Sequence, residues 1–258
     1  MVKSYEDLKE KTLGMTGFFE TSSGYPTCYG ITSGNHDGSG LSHGVLQFNF
    51  GTGSLQPLWN YLNTSHTQLC WDVFQGDYPE WNAVLGKTTA EQITWGDSIS
   101  VPLGGDAKRG VQANWKARFQ QLGESQASIE KQITYAQSWL PNAHKWFNTL
   151  GLYSRRGFAL CWDISVQMGR LFSLNQIIQD FKKITTTGKT RAQIEEEKLR
   201  IICARCAFDN RPSQYSQIVW DRKIMLVNGT GDYYGTPFNM SQYDLDYDPA
   251  FKGGIFLG

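Results

Sequence analysis

Two carboxylates in the N-terminal part of the chain have the types and spacing needed for acid–base chemistry. Glu20 directly follows Phe18 and Phe19 at the end of an apolar segment, and Asp37 comes 17 residues later among glycines. Packing beside two phenyl rings would favour the neutral form of Glu20, whereas a hydrated turn would keep Asp37 ionised. Glycoside hydrolysis requires one protonated and one ionised carboxyl group, so the pair predicts that chemistry.

The residues after Asp37 provide candidate contacts to water and sugar. Ser42 has a hydroxyl that can hold a nucleophilic water, and Gln47 and Asn49 alternate along a β-type run where both can meet sugar hydroxyls. Closely spaced glycines in this stretch permit a ligand or a second strand to approach the backbone. We therefore predict a glycan-binding surface next to the two carboxylates.

This pattern resembles the lysozyme-like superfamily of glycoside hydrolases, and within it the chitosanase branch and related bacterial and phage domains. The residues that carry the resemblance are Glu20, Tyr25, the run from Asp37 to Gly44 and Gly51-Thr52-Gly53. The resemblance implies that Glu20 is the general acid and Asp37 the general base of an inverting hydrolysis, with Ser42 holding the attacking water.

The same resemblance extends to further residues that would contact the glycan. The segment from Tyr153 to Asp163 resembles the central helix of the family, and Asp221-Arg222-Lys223 resembles its C-terminal part, where Arg222 would lie near the acid. The predicted substrate-binding residues are Tyr25, Ser39, His43, Gln47, Asn49, Asp163 and Arg222.

Two departures from the branch pattern bear on the substrate. Ser39 stands where these enzymes carry a basic residue, and Ser54 stands where they carry an acidic one. Chitosan is a polycation and favours acidic subsites, so we expect peptidoglycan, cleaved by a muramidase activity, in preference to chitosan. A lytic transglycosylase and a non-catalytic module that binds glycans of the cell wall are the alternatives.

The elements that must position this site are predicted from periodicity and from breaking residues. Helical patterns cover about 5–20, 54–63, 107–122, 125–149 (interrupted at Pro141), 155–169, 173–184, 190–208 and 213–224. We predict a mainly α (α+β), lysozyme-like bilobal fold in a single domain, 1–258, with the cleft between its lobes. Its parts are a small β-hairpin lobe at about 21–53, short helices over 64–105, a helical lobe at about 107–225 and an irregular segment at 226–258.

Composition limits the partners that we expect. The 258 residues carry 24 Lys plus Arg and 24 Asp plus Glu, so the formal net charge is zero and nucleic acid is not expected as a partner. No stretch resembles a membrane span or a signal peptide. We expect action at the bacterial cell wall, in the periplasm or outside the cell, after delivery by a phage or a secretion machine, with an immunity protein as a possible partner.

Other reactive residues give weaker patterns. His36 and His43 flank Asp37 but lack a fourth ligand, so we expect no metal and no other cofactor. The five cysteines do not form a disulfide pattern, and buried thiols are expected. Glu195-Glu196-Glu197-Lys198 is interpreted as a solvated helix face. Most tryptophans are expected in the core, while Trp71, Trp81 and Trp95 are candidates for stacking on sugar rings.

Overall fold

The computed structural model describes residues 5–211 and 215–247 of the chain. Over these residues the protein is mainly helical and has small antiparallel sheets, which confirms the predicted fold class. The helices are α1 (Tyr5–Thr21), α2 (Leu55–Ser65), α3 (Thr67–Phe74), α4 (Tyr78–Leu85), α5 (Thr89–Ser98), α6 (Ala113–Gly123), α7 (Gln126–Ala136), α8 (Leu140–Thr149), α9 (Arg155–Met168), α10 (Leu174–Phe181), α11 (Arg191–Asp209) and α12 (Tyr215–Asn228). The strands are β1 (Thr32–Ser33), β2 (Ser42–His43), β3 (Phe48–Asn49), β4 (Ser100–Leu103), β5 (Asp106–Val111), β6 (Thr230–Tyr233) and β7 (Thr236–Asn239).

The chain divides into two compact units. One consists of Met1–Met15 with Gln137–Gly258, and the other consists of Thr16–Ala136. We call the first the helical unit, because it contains α8 to α12. We call the second the sheet unit, because β1, β2 and β3 form its three-stranded sheet. Glu20 and Asp37 both lie in the sheet unit.

Aromatic packing forms the core of the sheet unit. Trp59 stacks on Phe119 with ring centroids 5.0 Å apart, and Phe74 stacks on Trp81 at 4.3 Å. All four side chains have no exposed surface. Burying side chains of this size stabilises the unit by about 1.5–3 kcal/mol each before entropy is counted. Most of the tryptophans of this unit therefore serve the core, as the sequence predicts.

A buried amide fixes the sheet against helix α7. Gln132 donates from Nε2 to the carbonyl oxygen of Tyr29, 3.0 Å away, and accepts at Oε1 from the backbone N–H of Val45, 2.9 Å away. These bonds satisfy backbone groups just before β1 and just after β2, which would otherwise be buried without partners. Gln132 thus connects both sides of the segment that carries Asp37.

Residues 107–111 are a correction to the predicted helix at 107–122. They form β5, which pairs with β4, and α6 begins only at Ala113. Ala107, Lys108 and Arg109 favour a helix locally, but Gly104 adopts φ +62° and, with Gly105, turns the chain back into a hairpin. The backbone N–H of Gly34 also donates to the carbonyl of Arg109, 2.8 Å away, so tertiary pairing overrides local propensity.

The other predicted boundaries fall close to the observed ones. The pattern over 125–149 is divided into α7 and α8, with Pro141 in the first turn of α8, where a missing N–H costs nothing. The segment at 226–258 contains the end of α12, the β6–β7 hairpin and a short 3₁₀ helix, Met240–Tyr243. Positions 213–214 of the last predicted helix and 248–258 of the C-terminal segment lie outside the described residues.

Glu195 is a second correction, because its side chain is not solvated. The residue is 1% exposed, and its carboxylate accepts from the backbone N–H groups of Tyr153 and Ser154, both at 2.9 Å. These groups lie at the start of α9, where the helix dipole and unpaired N–H groups favour an anion. Glu195 of α11 therefore caps α9 inside the helical unit.

Candidate active site

Glu20 lies in the last turn of α1, and its side chain is exposed. One turn earlier, Gly17 allows the helix to approach the sheet: a Cβ at that position would lie 2.4 Å from Val45 Cγ2. Val45 follows β2 by two residues, so this contact joins the end of α1 to the segment after β2. The structure thus positions Glu20 by a close helix–sheet contact that only glycine permits.

The expected shielding of Glu20 by the preceding phenylalanines is wrong. Phe18 and Phe19 are buried, with 4% and 5% of their surfaces exposed, whereas Glu20 points to solvent. Successive helical side chains are separated by about 100°, so the helix can turn two aromatic residues to the core and the next residue outward. Apolar sequence neighbours on a helix are therefore not necessarily spatial neighbours.

A row of polar side chains crosses the three-stranded sheet. Ser33, Ser42 and Asn49 are directly opposite one another in β1, β2 and β3, so their side chains share one face. Gln47 joins this row, because Ser33 Oγ donates to Gln47 Oε1 at 3.2 Å. The opposite face carries Thr32, His43 and Phe48, which are buried; Ser42, in the middle of the row, is also buried, with 7% of its surface exposed. The structure therefore brings together the predicted residues Ser42, Gln47 and Asn49.

Asp37 lies in the loop between β1 and β2 and is exposed. Its Oδ1 accepts from the backbone N–H of Ser39 at 2.9 Å, which closes a local turn and leaves the rest of the carboxylate to solvent. The carbonyl of Ser39 in turn accepts from Gly51 N at 2.8 Å. Ser39 therefore connects the Asp37 loop to the Gly51-Thr52-Gly53 segment, as a backbone anchor that the sequence pattern did not indicate.

Asn35 is the residue that shapes this loop, and the sequence analysis missed it. Its Oδ1 accepts from Gly40 N at 2.8 Å, and its Nδ2 donates to Asp97 Oδ1 at 3.0 Å. Its backbone N–H donates to Ser100 Oγ at 2.8 Å. No local signal marks this role, because the bond to Gly40 spans five residues and the partners Asp97 and Ser100 are 62 and 65 residues away in the chain.

The Asn35 side chain is held by Asp97, which is itself part of an ion pair. Lys108 of β5 forms an ion pair with Asp97, and Asn35 donates to the same carboxylate. These hydrogen bonds, from Lys108 first and Asn35 second, hold the pKa of Asp97 below its ordinary value. The acceptor for Asn35 is therefore ionised at neutral pH and keeps the loop closed.

Replacing Asn35 with alanine is expected to loosen the Asp37 loop without unfolding the sheet unit. The change removes two side-chain hydrogen bonds of about 1 kcal/mol each, so exchange of the Gly40 amide hydrogen should accelerate roughly tenfold or more. Hydrogen exchange of residues 35–41 measures this, with Asn82→Ala, an exposed amide on α4, as the control. Unchanged protection of Gly40 would show that Asn35 does not hold the loop.

Tyr25 lies before the short 3₁₀ helix Thr27–Tyr29 and is partly buried. Its ring meets that of Tyr29 edge to face at 6.1 Å, and the Tyr25–Pro26 peptide bond is cis. The partly exposed ring remains a candidate sugar contact.

His43 is a correction to the predicted substrate contacts. It has no exposed surface, its Nδ1 lies 2.8 Å from Thr32 Oγ1, and its ring lies 5.7 Å from that of Trp59. Burial in this aromatic surrounding lowers the pKa of His43 to about 3. The imidazole is thus a neutral core group, because β2 turns it to the face of the sheet that is opposite Ser42.

His43 makes the stability of the sheet unit sensitive to acid. Folding lowers the pKa of His43 from its ordinary value of 6.5 to about 3. Between these two pH values the unfolded chain binds a proton that the folded protein does not. Folding stability therefore falls as pH drops below about 6.5. The loss approaches about 1.4 kcal/mol per pH unit. His43→Asn retains a group that can pair with Thr32 and cannot titrate.

Urea unfolding between pH 7 and pH 5 tests this prediction. We expect the wild-type protein to lose about 2 kcal/mol more than His43→Asn over that interval. His66→Asn, at the start of α3, is the control for a histidine that is not enclosed. Parallel pH profiles for the wild-type protein and His43→Asn would contradict the prediction.

Asp163 and Arg222 are found in a different setting from the one expected. Both belong to the helical unit, where Asp163 is fully buried and accepts from Arg222 Nη2 at 2.6 Å and from Lys223. A fully enclosed carboxylate cannot bind sugar, so that prediction for Asp163 is wrong. The Arg222 side chain is 4% exposed and is oriented by the same ion pair, which argues against a sugar contact by Arg222 as well.

In residues 5–211 and 215–247, no three or more His, Cys, Asp or Glu side chains are grouped as a metal site would require. His36 Nδ1 instead lies 3.1 Å from the carbonyl of Gly34. None of the helices in the same ranges has the length and apolar character needed to cross a bilayer. All five cysteines are buried free thiols.

Comparison with known proteins gives a structural likeness only. No protein-family model and no curated protein sequence matches the chain. The solved structures that resemble it include chitosanases. Native chitosanase from Bacillus subtilis MY002 matches with a TM-score of 0.45 and 16% identity over 88% of this chain and 89% of that chain. A Gynuella sunshinyii chitosanase of glycoside hydrolase family 46, in complex with chitotetraose, matches with a TM-score of 0.46 and 13% identity over 92% and 98%.

Proposed function

We propose that the protein is a glycoside hydrolase that cleaves the β-1,4 glycan of bacterial peptidoglycan. The observation that carries this proposal is the polar row Ser33–Ser42–Asn49, with an exposed carboxylate on each of two segments tied to β2. Asp37 lies in the loop that leads into β2, and the last turn of α1, which carries Glu20, approaches Val45 just after β2. Two exposed carboxylates beside a hydroxyl- and amide-bearing surface suit the binding and hydrolysis of a polyhydroxylated chain.

The proposed reaction is a single displacement with inversion. Glu20 donates its proton to the glycosidic oxygen as the bond between that oxygen and C1 breaks. Asp37 accepts a proton from a water molecule, whose oxygen forms the new bond to C1 from the opposite face. Ser42 orients this water through its hydroxyl. The predicted separation of the two carboxyl groups in the working complex is about 6.5–9.5 Å, as inverting enzymes require.

Charges near the Asp37 loop support a neutral or anionic glycan. The exposed Arg109 lies on β5, whose backbone holds Gly34 at the start of the loop, while the charge of its neighbour Lys108 is offset by Asp97. A polycation would be repelled by Arg109, whereas the carboxylates carried by peptidoglycan would be attracted. Ser54, at the position of an acidic residue in the branch pattern, accepts from Asn49 N at 2.9 Å and so serves the backbone of β3.

Chitosan hydrolysis is the second candidate. It is favoured by the motif from Asp37 to Ser54, which follows the chitosanase pattern except at Ser39 and Ser54. The exposed carboxylates Glu20 and Asp37 would themselves attract glucosamine units. The two candidates share the mechanism and differ only in the groups that the subsites must accommodate.

Mass analysis of digests tests the proposal. Purified sacculi and chitosan are incubated separately with the protein, and the soluble products are identified. We expect muropeptides with reducing ends from sacculi. Reducing-end products from chitosan alone would favour the second candidate, and anhydro-sugar ends would indicate a lytic transglycosylase. An inert protein that still binds sacculi would be a wall-binding module.

The proposed substrate implies the place of action. Peptidoglycan lies in the bacterial wall, so we propose that the protein acts there, in the periplasm or from outside the cell, after delivery by a phage or secretion carrier. In the producing cell, an immunity protein would have to block Asp37 and the polar row. Mixing with a candidate inhibitor and repeating the sacculus digest tests that part.

A further inference from the structure

We propose that Trp71 is a platform for glycan binding on the surface of the sheet unit, separate from the two carboxylates. Trp71 lies in α3, and 46% of its surface is exposed. It is one of three tryptophans that the sequence suggested for sugar stacking. Trp81 has no exposed surface, and Trp95 is partly buried with its Nε1 bound to Glu80 at 2.8 Å. Trp71 therefore remains as the candidate among the three.

The Trp71 ring is held rigidly on one side. It stacks on Tyr78 with centroids 4.2 Å apart and an interplanar angle of 25°. Tyr78 is 7% exposed, and its hydroxyl donates to Asn63 Oδ1 at 2.7 Å. Asn63 Nδ2 in turn donates to Asn82 at 2.8 Å. Because the indole packs on an anchored aromatic ring, its side chain has little conformational freedom left to lose. A ligand that stacks on its other face would therefore bind at a small cost in side-chain entropy.

The surroundings of Trp71 indicate a sugar in preference to a protein partner. Gln68 stands three residues before Trp71 on the same side of α3, and Gln75 directly follows the last residue of the helix; both are exposed. Asp72 is exposed as well and accepts from Gln68 at 2.8 Å. A protein-docking surface would need a contiguous apolar area, whereas here one flat ring is bordered by hydrogen-bonding groups.

This combination fits a pyranose unit. The C–H groups on one face of the sugar can stack on the indole, while the amide of Gln68 bonds its hydroxyl or N-acetyl groups. The proposal rests on the proposed function for the identity of the polymer. It adds a second contact, which would hold an insoluble glycan on the enzyme while a different part of the chain is cleaved.

The test measures binding of the protein to purified sacculi and, separately, to chitin. All variants are made in a Glu20→Gln background, so that digestion does not alter the polymer. We expect Trp71→Ala to weaken binding about tenfold and Trp71→Tyr, which retains a flat ring, to restore most of it. Phe208→Ala, which removes an aromatic ring that is 56% exposed in the helical unit, is the matched control and should bind normally.

The outcomes separate this inference from the proposed function. Equal binding of Trp71→Ala and Phe208→Ala would overturn the Trp71 platform, whatever the protein hydrolyses. Binding that depends on Trp71 in a protein whose wild-type form cleaves no glycan would support the platform and refute the hydrolase. In the active protein, Trp71→Ala should slow digestion of sacculi severalfold and leave cleavage of soluble oligosaccharides unchanged. Failure of Trp71→Tyr to restore binding in a folded protein would also count against stacking.

Discussion

Glu20→Gln is expected to reduce glycan hydrolysis by about a thousandfold or more while leaving the fold unchanged. The amide has nearly the same shape as the carboxyl group but cannot deliver a proton to the leaving oxygen, and general acid catalysis accounts for about 10²–10⁴ in rate. The Glu20 side chain is exposed at the end of α1, so the substitution creates no cavity. Initial rates on sacculi or on chitosan, whichever polymer the wild-type protein cleaves, measure the effect.

Asp37→Asn tests the base in the same assay and is matched to the loop structure. The asparagine Oδ1 can still accept from Ser39 N, so the local turn that Asp37 closes should persist. The variant loses only the capacity to take a proton from water, and we expect a loss of about 10²–10⁴ in rate. Glu130→Gln, an exposed carboxylate on α7, is the control and should retain full activity.

The two variants also separate the mechanisms. An inverting hydrolase needs both groups, whereas a lytic transglycosylase does not need Asp37 as a base. Wild-type activity that survives in Asp37→Asn but not in Glu20→Gln would therefore argue for the transglycosylase. Survival of activity in Glu20→Gln at the wild-type rate would remove Glu20 from the role of acid altogether.

Helices were the part of the fold that the sequence predicted best, because their signals are local. Thr88 and Thr190 form capping boxes at the starts of α5 and α11, and Pro141 falls in the first turn of α8. Such caps act within four residues and can be recognised from the sequence alone. The β5 strand was missed because Ala107, Lys108 and Arg109 favour a helix locally. The hairpin with β4 and the bond that Gly34, more than seventy residues earlier, donates to Arg109 override that propensity.

The sequence predicted the residue types of the candidate site, but not the residues that hold them in place. Ser42 and Asn49 pair in the register of β2 with β3, and the structure adds Ser33 through the register of β1 with β2. Gln47 lies in the turn before β3 with φ +52° and joins the row through its hydrogen bond with Ser33, and not through the strand alternation that the sequence predicted. Asn35 could not be assigned from the sequence, because its role depends on Asp97. Register and anchoring are non-local properties, and one sequence without its fold does not contain them in readable form.

Polar residues were assigned to the substrate too readily when their burial was unknown. His43 is adjacent to Ser42 in the chain, but alternation in β2 puts the two on opposite faces of the sheet. Asp163 lies in α9, a helix whose residues are buried from Arg155 through Ser165. A helix enclosed on all sides can hold a carboxylate only if cations accompany it. In α12, Arg222 and Lys223 supply those cations.

Asp163→Asn is accordingly expected to destabilise the helical unit by about 3–5 kcal/mol at neutral pH, because it leaves two buried cations without their anion. In the wild-type protein, Arg222 Nε lies 3.1 Å from Asp163 Oδ1, and Lys223 Nζ contacts both Asp163 and Gln167. Burial alone would raise the pKa of Asp163, but the charges of Arg222 and Lys223 outweigh it, and the pKa lies below its ordinary value.

The pH dependence distinguishes this ion cluster from ordinary packing. Because the pKa of Asp163 is lowered on folding, its stabilisation is complete above the ordinary value of 3.8 and is lost as pH falls through the lower value in the folded state. The deficit of Asp163→Asn should thus be largest at neutral pH and shrink under acid conditions.

Chemical unfolding at several pH values measures this deficit in stability, with Glu196→Gln as the control. Glu196 pairs with Arg200 on the exposed side of α11, where such a pair contributes only about 0.3–0.5 kcal/mol. A deficit in Asp163→Asn no larger than in Glu196→Gln, or one that does not change with pH, would mean that the cluster does not stabilise the helical unit through charge.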